Sequence, residues 1–552
     1  MFKTKKSGRG NSPGYKAVIF PALIAAIVFV PIVYIFSSFL LVDKYVFTHI
    51  ASSILPEVAK NTIILALGTG ILSVILGTTL AWLTAIYDFP FKKYFVWLLV
   101  LPIALPTYVL AFVGVGFFDY SGLFQDFLRL FGMKGFWFDG VRSAPGAIVV
   151  LSLSLYPYVY YITRSAFISQ GPKALEVSEL YGYSKLRTFV TVIIPMSRSY
   201  IAAGALLVIM ESLADFGAVS VLNYNTLTTA IYQAWFAMFS FQTGLQISSF
   251  TLLIAVIILL TEQYTRSKMR FSQVGTATIA HKYIKLSGIK AWAAFGYCMT
   301  VLMIAFILPV TQLVVWLNSA LKQELSSSYY SYLLNTFMLG IIAVIVIISV
   351  SLILSVIKHN VRSKRLALLI KLSTIGYALP GTVLAIGFFI PVTKLNNYLI
   401  DLSEKIMGEP AEFAIQSTIA VMIIGYLIRF LAVGYSTVDS SMERVSSSVV
   451  NSAKLMGYGY RSIISKIYIP LLRKGVLTAV TLVLIDVMKE MPITLMTRPF
   501  GWDTLAVKIF ELTSEGEWER AAVPSFILLL FGLVPIVFLS GRINRQIKGE
   551  AK

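Results

Sequence analysis

Long apolar runs alternate with short polar stretches from one end of the chain to the other. A bilayer-spanning helix needs about 20 mostly apolar residues. Runs of that kind recur about twelve times, near 17–42, 60–87, 93–117, 145–169, 197–222, 245–263, 291–317, 333–357, 366–392, 414–438, 472–495 and 522–541. The pattern predicts an all-α polytopic membrane protein. The first run follows Lys3, Lys5, Lys6, Arg9 and Lys16 and extends from about Val18 to Val42. That is longer than the apolar core of a signal peptide, so it is expected to be a retained spanning helix with the N-terminus in the cytoplasm.

Charge placement agrees with this count. Cytoplasmic loops of membrane proteins are enriched in Lys and Arg. Lys92 and Lys93 follow the second run, Arg266, Lys268, Arg270, Lys282, Lys285 and Lys290 the sixth, Lys358, Arg362, Lys364 and Arg365 the eighth, and Arg542, Arg545 and Lys548 the twelfth. Loops expected on the opposite side carry Asp401, Glu404, Glu409 and Glu412, then Glu511, Glu515, Glu517 and Glu519. Both termini are therefore expected in the cytoplasm of a bacterial inner-membrane protein.

Composition sharpens the class. Of 552 residues, 57% are hydrophobic and 13% charged, with a mean hydropathy of +0.80; a soluble domain carries roughly a quarter charged residues. The net charge of +20 does not point to nucleic acid, because the basic residues sit in short loops without a stripe of stacking aromatics. Cys298 is the only cysteine, which excludes an intramolecular disulfide and a cysteine-based metal cluster.

The two halves of the chain repeat each other. Asn335-Thr336 follows Asn61-Thr62 at a distance of 274 residues, and Ala378-Leu379-Pro380 with Val383-Leu384-Ala385 follows Ala104-Leu105-Pro106 with Val109-Leu110-Ala111 at the same distance. Gly182 and Gly457, like Pro195 and Pro470, lie 275 residues apart. Six runs per copy leave both copies in one orientation, a parallel repeat about an axis along the membrane normal. The expected organisation is a first half at 1–265 with a loop at 171–196, a basic cytoplasmic linker at 266–290, and a second half at 291–552 with a loop at 440–471.

Those two loops carry the most specific motif. The first reads Glu176-Val177-Ser178, then Gly182, then Val192, Ile194 and Pro195; the second reads Asn451-Ser452-Ala453, then Gly457, then Ile467, Ile469 and Pro470. Glycine permits a turn that other residues resist, and proline fixes the entry to the next helix. The alternative for one such copy is an amphipathic loop lying on the membrane; two copies at the repeat distance favour a compact docking knob. The motif resembles the EAA loop of ABC-importer permeases, Glu-Ala-Ala, three residues, Gly, nine residues, Ile-x-Leu-Pro. That resemblance implies a MetI-like permease fold and a coupling role for Glu176, Gly182, Pro195, Asn451, Gly457 and Pro470. It also implies two ATP-binding subunits on the cytoplasmic side and a periplasmic or extracellular substrate-binding protein. Asn451 stands where the family has glutamate, so the two docking sites are expected to be unequal. No G-x-x-x-x-G-K-[ST] phosphate loop occurs in the chain, so ATP is expected to be used by partners, with no cofactor held here.

Further segments narrow the resemblance. Asp486-Val487-Met488-Lys489-Glu490-Met491-Pro492-Ile493-Thr494-Leu495, Arg498-Pro499-Phe500 and Asp503-Thr504-Leu505-Ala506 are similar to the ferric iron permease family, as are Leu213 to Val219 and Thr229 to Phe236 in the first half. The resemblance implies ferric iron as the substrate. The fused layout also occurs in thiamine and phosphonate permeases, so a thiamine or polyamine importer of the same class is the alternative. A proton-coupled carrier would not need the repeated knob, and a non-transporting scaffold would leave the acidic pairs below unexplained.

Glu211 and Asp215 are spaced to share one helix face, and the repeat places Asp486 and Glu490 at the matching positions. Asp215 and Glu490 each lie 20 residues after the loop proline, about 30 Å along a helix. A carboxylate near the bilayer centre costs about 2.5–3.5 kcal/mol on insertion scales, so these four require a reason. Two readings stand open. The carboxylates line the outer part of a cation pathway, since hard cations suit carboxylate oxygens. Alternatively they pair with Lys489 or Arg498, or hold an outer gate shut by hydrogen bonds.

Overall fold

The structure is a computed structural model and describes residues 15–38, 48, 50–120, 122–133, 140–267, 283–324, 327–361, 363–408, 415 and 418–549. The basic N-terminal stretch, most of the 266–290 linker, and Arg362, Glu409 and Glu412 lie outside the described residues.

In chain order the first half contains α1 (Tyr15–Ser37), α2 (Leu55–Ile86), β1 (Tyr87–Asp88), α3 (Lys92–Leu98), α4 (Thr107–Phe118), α5 (Leu123–Leu130), α6 (Ala144–Leu180), α7 (Lys185–Thr188), α8 (Ile194–Ala214), α9 (Gly217–Val221), α10 (Leu227–Phe236) and α11 (Phe241–Ser267). The second contains β2 (Ile284–Lys285), α12 (Ile289–Leu302), α13 (Leu308–Glu324), α14 (Ser327–Asn360), α15 (Lys364–Ser373), α16 (Gly381–Met407), α17 (Ile419–Met442), α18 (Ser447–Leu455), α19 (Tyr460–Ile463), α20 (Ile469–Lys489), α21 (Pro492–Thr497), α22 (Leu505–Ser514) and α23 (Trp518–Gly549). The protein is all-α apart from a two-residue parallel pairing of β1 with β2.

Among the described residues, nine helices are long and apolar enough to cross a membrane, and a bent pair makes up to ten. The expected eleventh and twelfth spans fall on α20 and α23; α20 carries Arg473, Lys474, Asp486 and Lys489. The bent pair is the expected third span, with an angle of 89° between 92–104 and 107–118. Its cause is Pro106. A residue before proline is pushed out of the helical region, and Leu105 is extended at φ −81°, ψ 124°. Leu379 before Pro380 adopts the same conformation, φ −85°, ψ 132°, so the break belongs to both repeats.

Prolines elsewhere are absorbed without a break. Five-residue π segments at Phe189–Ile193, Met303–Ile307 and Ile464–Tyr468 each stand one residue before a proline, at Pro195, Pro309 and Pro470. A proline inside an α-helix clashes with the carbonyl four residues back. Widening the turn to a bond five residues back, as from Ile194 N–H to the Phe189 carbonyl, makes room for the ring.

The described chain falls into two compact units. One consists of α1 with residues 331–504, the other of residues 42–330 with 505–552. In the first unit α1 lies on α15 and α16. A Cβ at Gly387 would stand 2.5 Å from Ile35 Cδ1 and 3.0 Å from the Pro31 carbonyl, so glycine there lets the two helices touch. Ser373 Oγ donates to the Pro21 carbonyl at 3.3 Å. In the second unit α2 packs along α6, and α13 packs on α4 and α23. Phe112 of α4 is stacked between Trp316 and Trp518, with ring centroids 6.0 and 6.4 Å away. The opening helix of each repeat thus docks on a helix of the other repeat's third span.

Candidate functional site

The two repeated loops share their backbone. Helix α6 runs through the expected fourth span to Leu180 and carries Glu176-Val177-Ser178 on its last turns. It ends in two reciprocal bonds: Tyr183 N–H to the Ser178 carbonyl at 3.0 Å and Gly182 N–H to the Glu179 carbonyl at 3.0 Å. This is the Schellman termination, which places a left-handed residue at the turn, and Gly182 has φ +72°. In the second loop Tyr458 N–H bonds the Ala453 carbonyl at 3.1 Å, and Gly457 has φ +81°. Nothing lies within 4 Å of a Cβ built on either glycine. Backbone conformation alone therefore selects glycine here.

Side chains sort the same way in both copies. Ser178 and Ala453 are buried, so the inward position of the motif is small; Ala453 belongs to a cluster with Val450, Ile463, Tyr468 and Leu472. Glu176, Gly182, Pro195, Asn451, Gly457 and Pro470 are exposed. The tips present Leu180 and Tyr181 in one copy, 87% and 77% exposed, and Leu455 and Met456 in the other, 89% and 70% exposed. Apolar side chains this open on a chain's loops mark a contact surface. The copies differ in attachment. Glu176 stands on the same continuous helix as the fourth span, whereas Asn451 stands on the separate helix α18, set off from α17 by the turn at 443–446. At that turn Lys358 of α14 pairs with Asp439, and lies 3.6 Å from Glu443.

The four carboxylates do not lie on continuous helix faces as the spacing predicts. Helix α8 ends at Ala214, and Asp215 is extended at ψ 129°; helix α20 ends at Lys489, and Glu490 is extended at ψ 117°. Each carboxylate then caps a short following helix. Asp215 Oδ1 accepts from the N–H groups of Ala218 and Val219 at 2.9 and 3.2 Å. Glu490 Oε1 accepts from Ile493 N–H at 3.2 Å. A carboxylate at a helix N-terminus satisfies otherwise orphan donors.

Both also reach the bent span. Asp215 Oδ2 accepts from the Thr107 hydroxyl, directly after Pro106. At the matching place after Pro380 stands Gly381, whose Cβ would lie 2.9 Å from Glu490 Oε1. The longer glutamate thus fills the space that threonine fills in the first half. Glu490 is 7% exposed, and Arg429 Nε of α17 stands 3.0 Å from its Oε2. That N–H is not aimed at the oxygen, so charge rather than a directed hydrogen bond holds the pair. Arg429 Nη1 donates to the Leu379 carbonyl at 2.6 Å, a group freed by the break at Pro380. Glu490 therefore pairs with Arg429, while Arg498 pairs with Asp503 at 2.8 Å. Asp486 lies close enough to Lys489 to act on its charge. Glu211 and Asp215 belong to one compact unit, Asp486 and Glu490 to the other. Among the described residues no three His, Cys, Asp or Glu side chains converge on a metal-sized site.

Sequence reasoning passed over Thr107, Gly381 and Arg429. Arg429 had a signal: it interrupts the apolar run from Val421 to Val433, and a charge inside a span marks a functional or paired site.

The family model for the binding-protein-dependent transport system inner membrane component matches residues 74–266 and again 354–548. The chain belongs to this family. It carries two copies of the family's membrane domain in one polypeptide, and it is a multi-pass inner-membrane transport subunit rather than an enzyme. Individual relatives agree in class. The chain is 26% identical over 490 residues to the Fe(3+)-transport system permease protein FbpB 2 of Haemophilus influenzae, covering 88% of this chain and 90% of that one. It is 26% identical over 249 residues to the molybdate/tungstate transport system permease protein WtpB of Methanocaldococcus jannaschii, 44% of this chain and 91% of that one. With the sulfate transport system permease protein CysT of Salmonella typhimurium it shares 28% over 166 residues, 30% of this chain and 58% of that one.

Proposed function

We propose that the chain is the permease of an ATP-binding-cassette importer for ferric iron. The observation that carries the substrate is the similarity to FbpB 2, which spans both halves, whereas the similarities to the oxyanion permeases cover less than half of this chain. Two ATP-binding subunits dock on the exposed tips at Leu180-Tyr181 and Leu455-Met456, with Glu176, Gly182, Pro195, Asn451, Gly457 and Pro470 shaping those tips. A substrate-binding protein delivers iron on the opposite face. Both termini lie in the cytoplasm with the tips, in line with the basic loops. The chain holds no cofactor; ATP is consumed by the partners. Closure of the ATPases moves the tips as rigid bodies, and the pathway opens outward to receive its cargo.

In the outer membrane half, Asp215 and Glu490 act first as structural ties. Each fastens the end of its helix to the bend after Pro106 or Pro380, so that movement of one element moves the other. Cation passage is assigned to Glu211 and Asp486, one turn closer to the membrane centre.

The test is ATP hydrolysis by the reconstituted complex. Binding protein loaded with ferric iron, loaded with molybdate, loaded with thiamine, or empty is added in turn. Stimulation by the ferric form alone supports the iron reading. Equal stimulation by the empty form removes the substrate assignment and leaves the importer class.

A further inference from the structure

Lys92 opens α3 on the turn after α2, yet its side chain is only 6% exposed. Its ammonium lies over the Tyr283 ring, 2.9 Å from the centroid, and has no hydrogen-bond partner among the described residues. Arg164 of α6 is near enough to repel this charge, and Asp88 is the carboxylate that attracts it. The Arg164 Nε is also buried without a partner among the described residues. Buried charges are ordinarily paired, so two cations beside one carboxylate leave room for an anion. The overlying chain does not supply it: residues 266–290, whose strand β2 pairs with the strand of Asp88, contain no Asp or Glu.

The same turn opens an apolar groove of about 380 Å³, lined by Phe91, Phe95, Phe295, Met299 and Phe306 among others. Phe91 directly precedes Lys92 and is held at φ +60°, a conformation rare for a bulky side chain and characteristic of constrained sites. Its ring stands 5.8 Å from that of Phe295. From Phe295 to Ile307 the groove follows α12 and the π segment, about 18 Å at the rise of a helix, close to the depth of one leaflet, half of a hydrocarbon core of about 30 Å. Lys93, Lys285 and Lys290 are exposed around the polar end.

We propose that this is a binding site for an anionic phospholipid. Its phosphate lies between Lys92 and Arg164, and one acyl chain lies along the groove beginning at Phe91. Paired cations at the mouth of an apolar groove favour anionic over zwitterionic headgroups, and a soluble phosphate would leave the groove unfilled. The site lies wholly within one compact unit and does not depend on the transported substrate.

The test is native mass spectrometry of the delipidated full chain in detergent, with phosphatidylglycerol, phosphatidylcholine or inorganic phosphate added. Phosphatidylglycerol is expected to be retained about tenfold or more over phosphatidylcholine, the scale of two cations at a headgroup. Lys92→Met and Arg164→Gln should each reduce that preference several-fold, while Lys371→Met, on exposed α15, leaves it unchanged. Arg164→Gln decides the matter if the Lys92 variant does not fold. Equal retention of both lipids, indifference to the folded variants, or displacement of the lipid by millimolar inorganic phosphate would overturn the proposal.

Discussion

Arg429 Nε and Glu490 Oε2 lie 3.0 Å apart within one compact unit, and the arginine also holds the carbonyl of Leu379. One side chain therefore joins the bend of the ninth span to the end of the eleventh. Removing one partner of a buried pair costs about 3–5 kcal/mol, because the other is left uncompensated. Arg429→Met is expected to lower the thermal midpoint of the purified chain sharply. Arg429→Met combined with Glu490→Gln should recover most of the loss. A double variant no better than the single would show that the arginine acts through Leu379 alone.

The first half uses a neutral partner at the matching place. Thr107→Val removes the hydroxyl that Asp215 accepts from, and a hydrogen bond to a charged group contributes about 1.5–3 kcal/mol. Thr107→Ser should restore it. Transport is expected to fall with Thr107→Val and return with Thr107→Ser, measured as iron uptake per ATP hydrolysed.

Gly381 tests the same arrangement from the other side. An added methyl would stand 2.9 Å from Glu490 Oε1 and 3.2 Å from Pro492 Cβ. Gly381→Ala should destabilise the chain, and Gly381→Ala with Glu490→Asp, which copies the shorter carboxylate of the first half, should be milder. Chemical denaturation midpoints of the three proteins give the comparison.

Gly182→Ala and Gly457→Ala meet no neighbouring atom and cost only the left-handed backbone, roughly 1–2 kcal/mol. Both variants should fold. ATP hydrolysis stimulated by the binding protein is expected to drop several-fold while ATPase subunits still co-purify, because the tips are misdirected rather than removed.

Gly387→Leu should strip α1 from its seat. The added side chain runs into Ile35 and Pro31, and overpacking costs about 1–3 kcal/mol. Gly296→Leu, where no atom lies within 4 Å, serves as the matched control in a thermal melt.

Much of this was legible in the chain itself. Apolar run length fixes where helices stand, because a span must satisfy its backbone internally. The repeat distance places the two Schellman turns, because only glycine fits their φ. Proline was half legible: Pro106 and Pro380 bend the chain, while Pro195 and Pro470 are accommodated by π turns, and local sequence does not separate the two outcomes. The acidic pairs were placed on helix faces because spacing says nothing of where a helix stops. Asp215 and Glu490 themselves accept from the next helix, and that contact competes with continuing the first. The Arg429 contact and the seat of α1 join residues far apart in sequence, for which periodicity carries no signal.

The seat of α1 has a consequence for how the chain is made. Helix α1 ends at Ser37, and the rest of its compact unit begins at residue 331, so 331 − 37 = 294 residues must be added before its partners start to emerge. At about 5–20 residues per second of synthesis, the first helix waits roughly 15–60 s in the bilayer. During that interval the face that Gly387 will later meet is covered by lipid or by the insertion machinery. Correct assembly is then a late exchange of neighbours, in which an early helix leaves provisional company for a partner translated near the end.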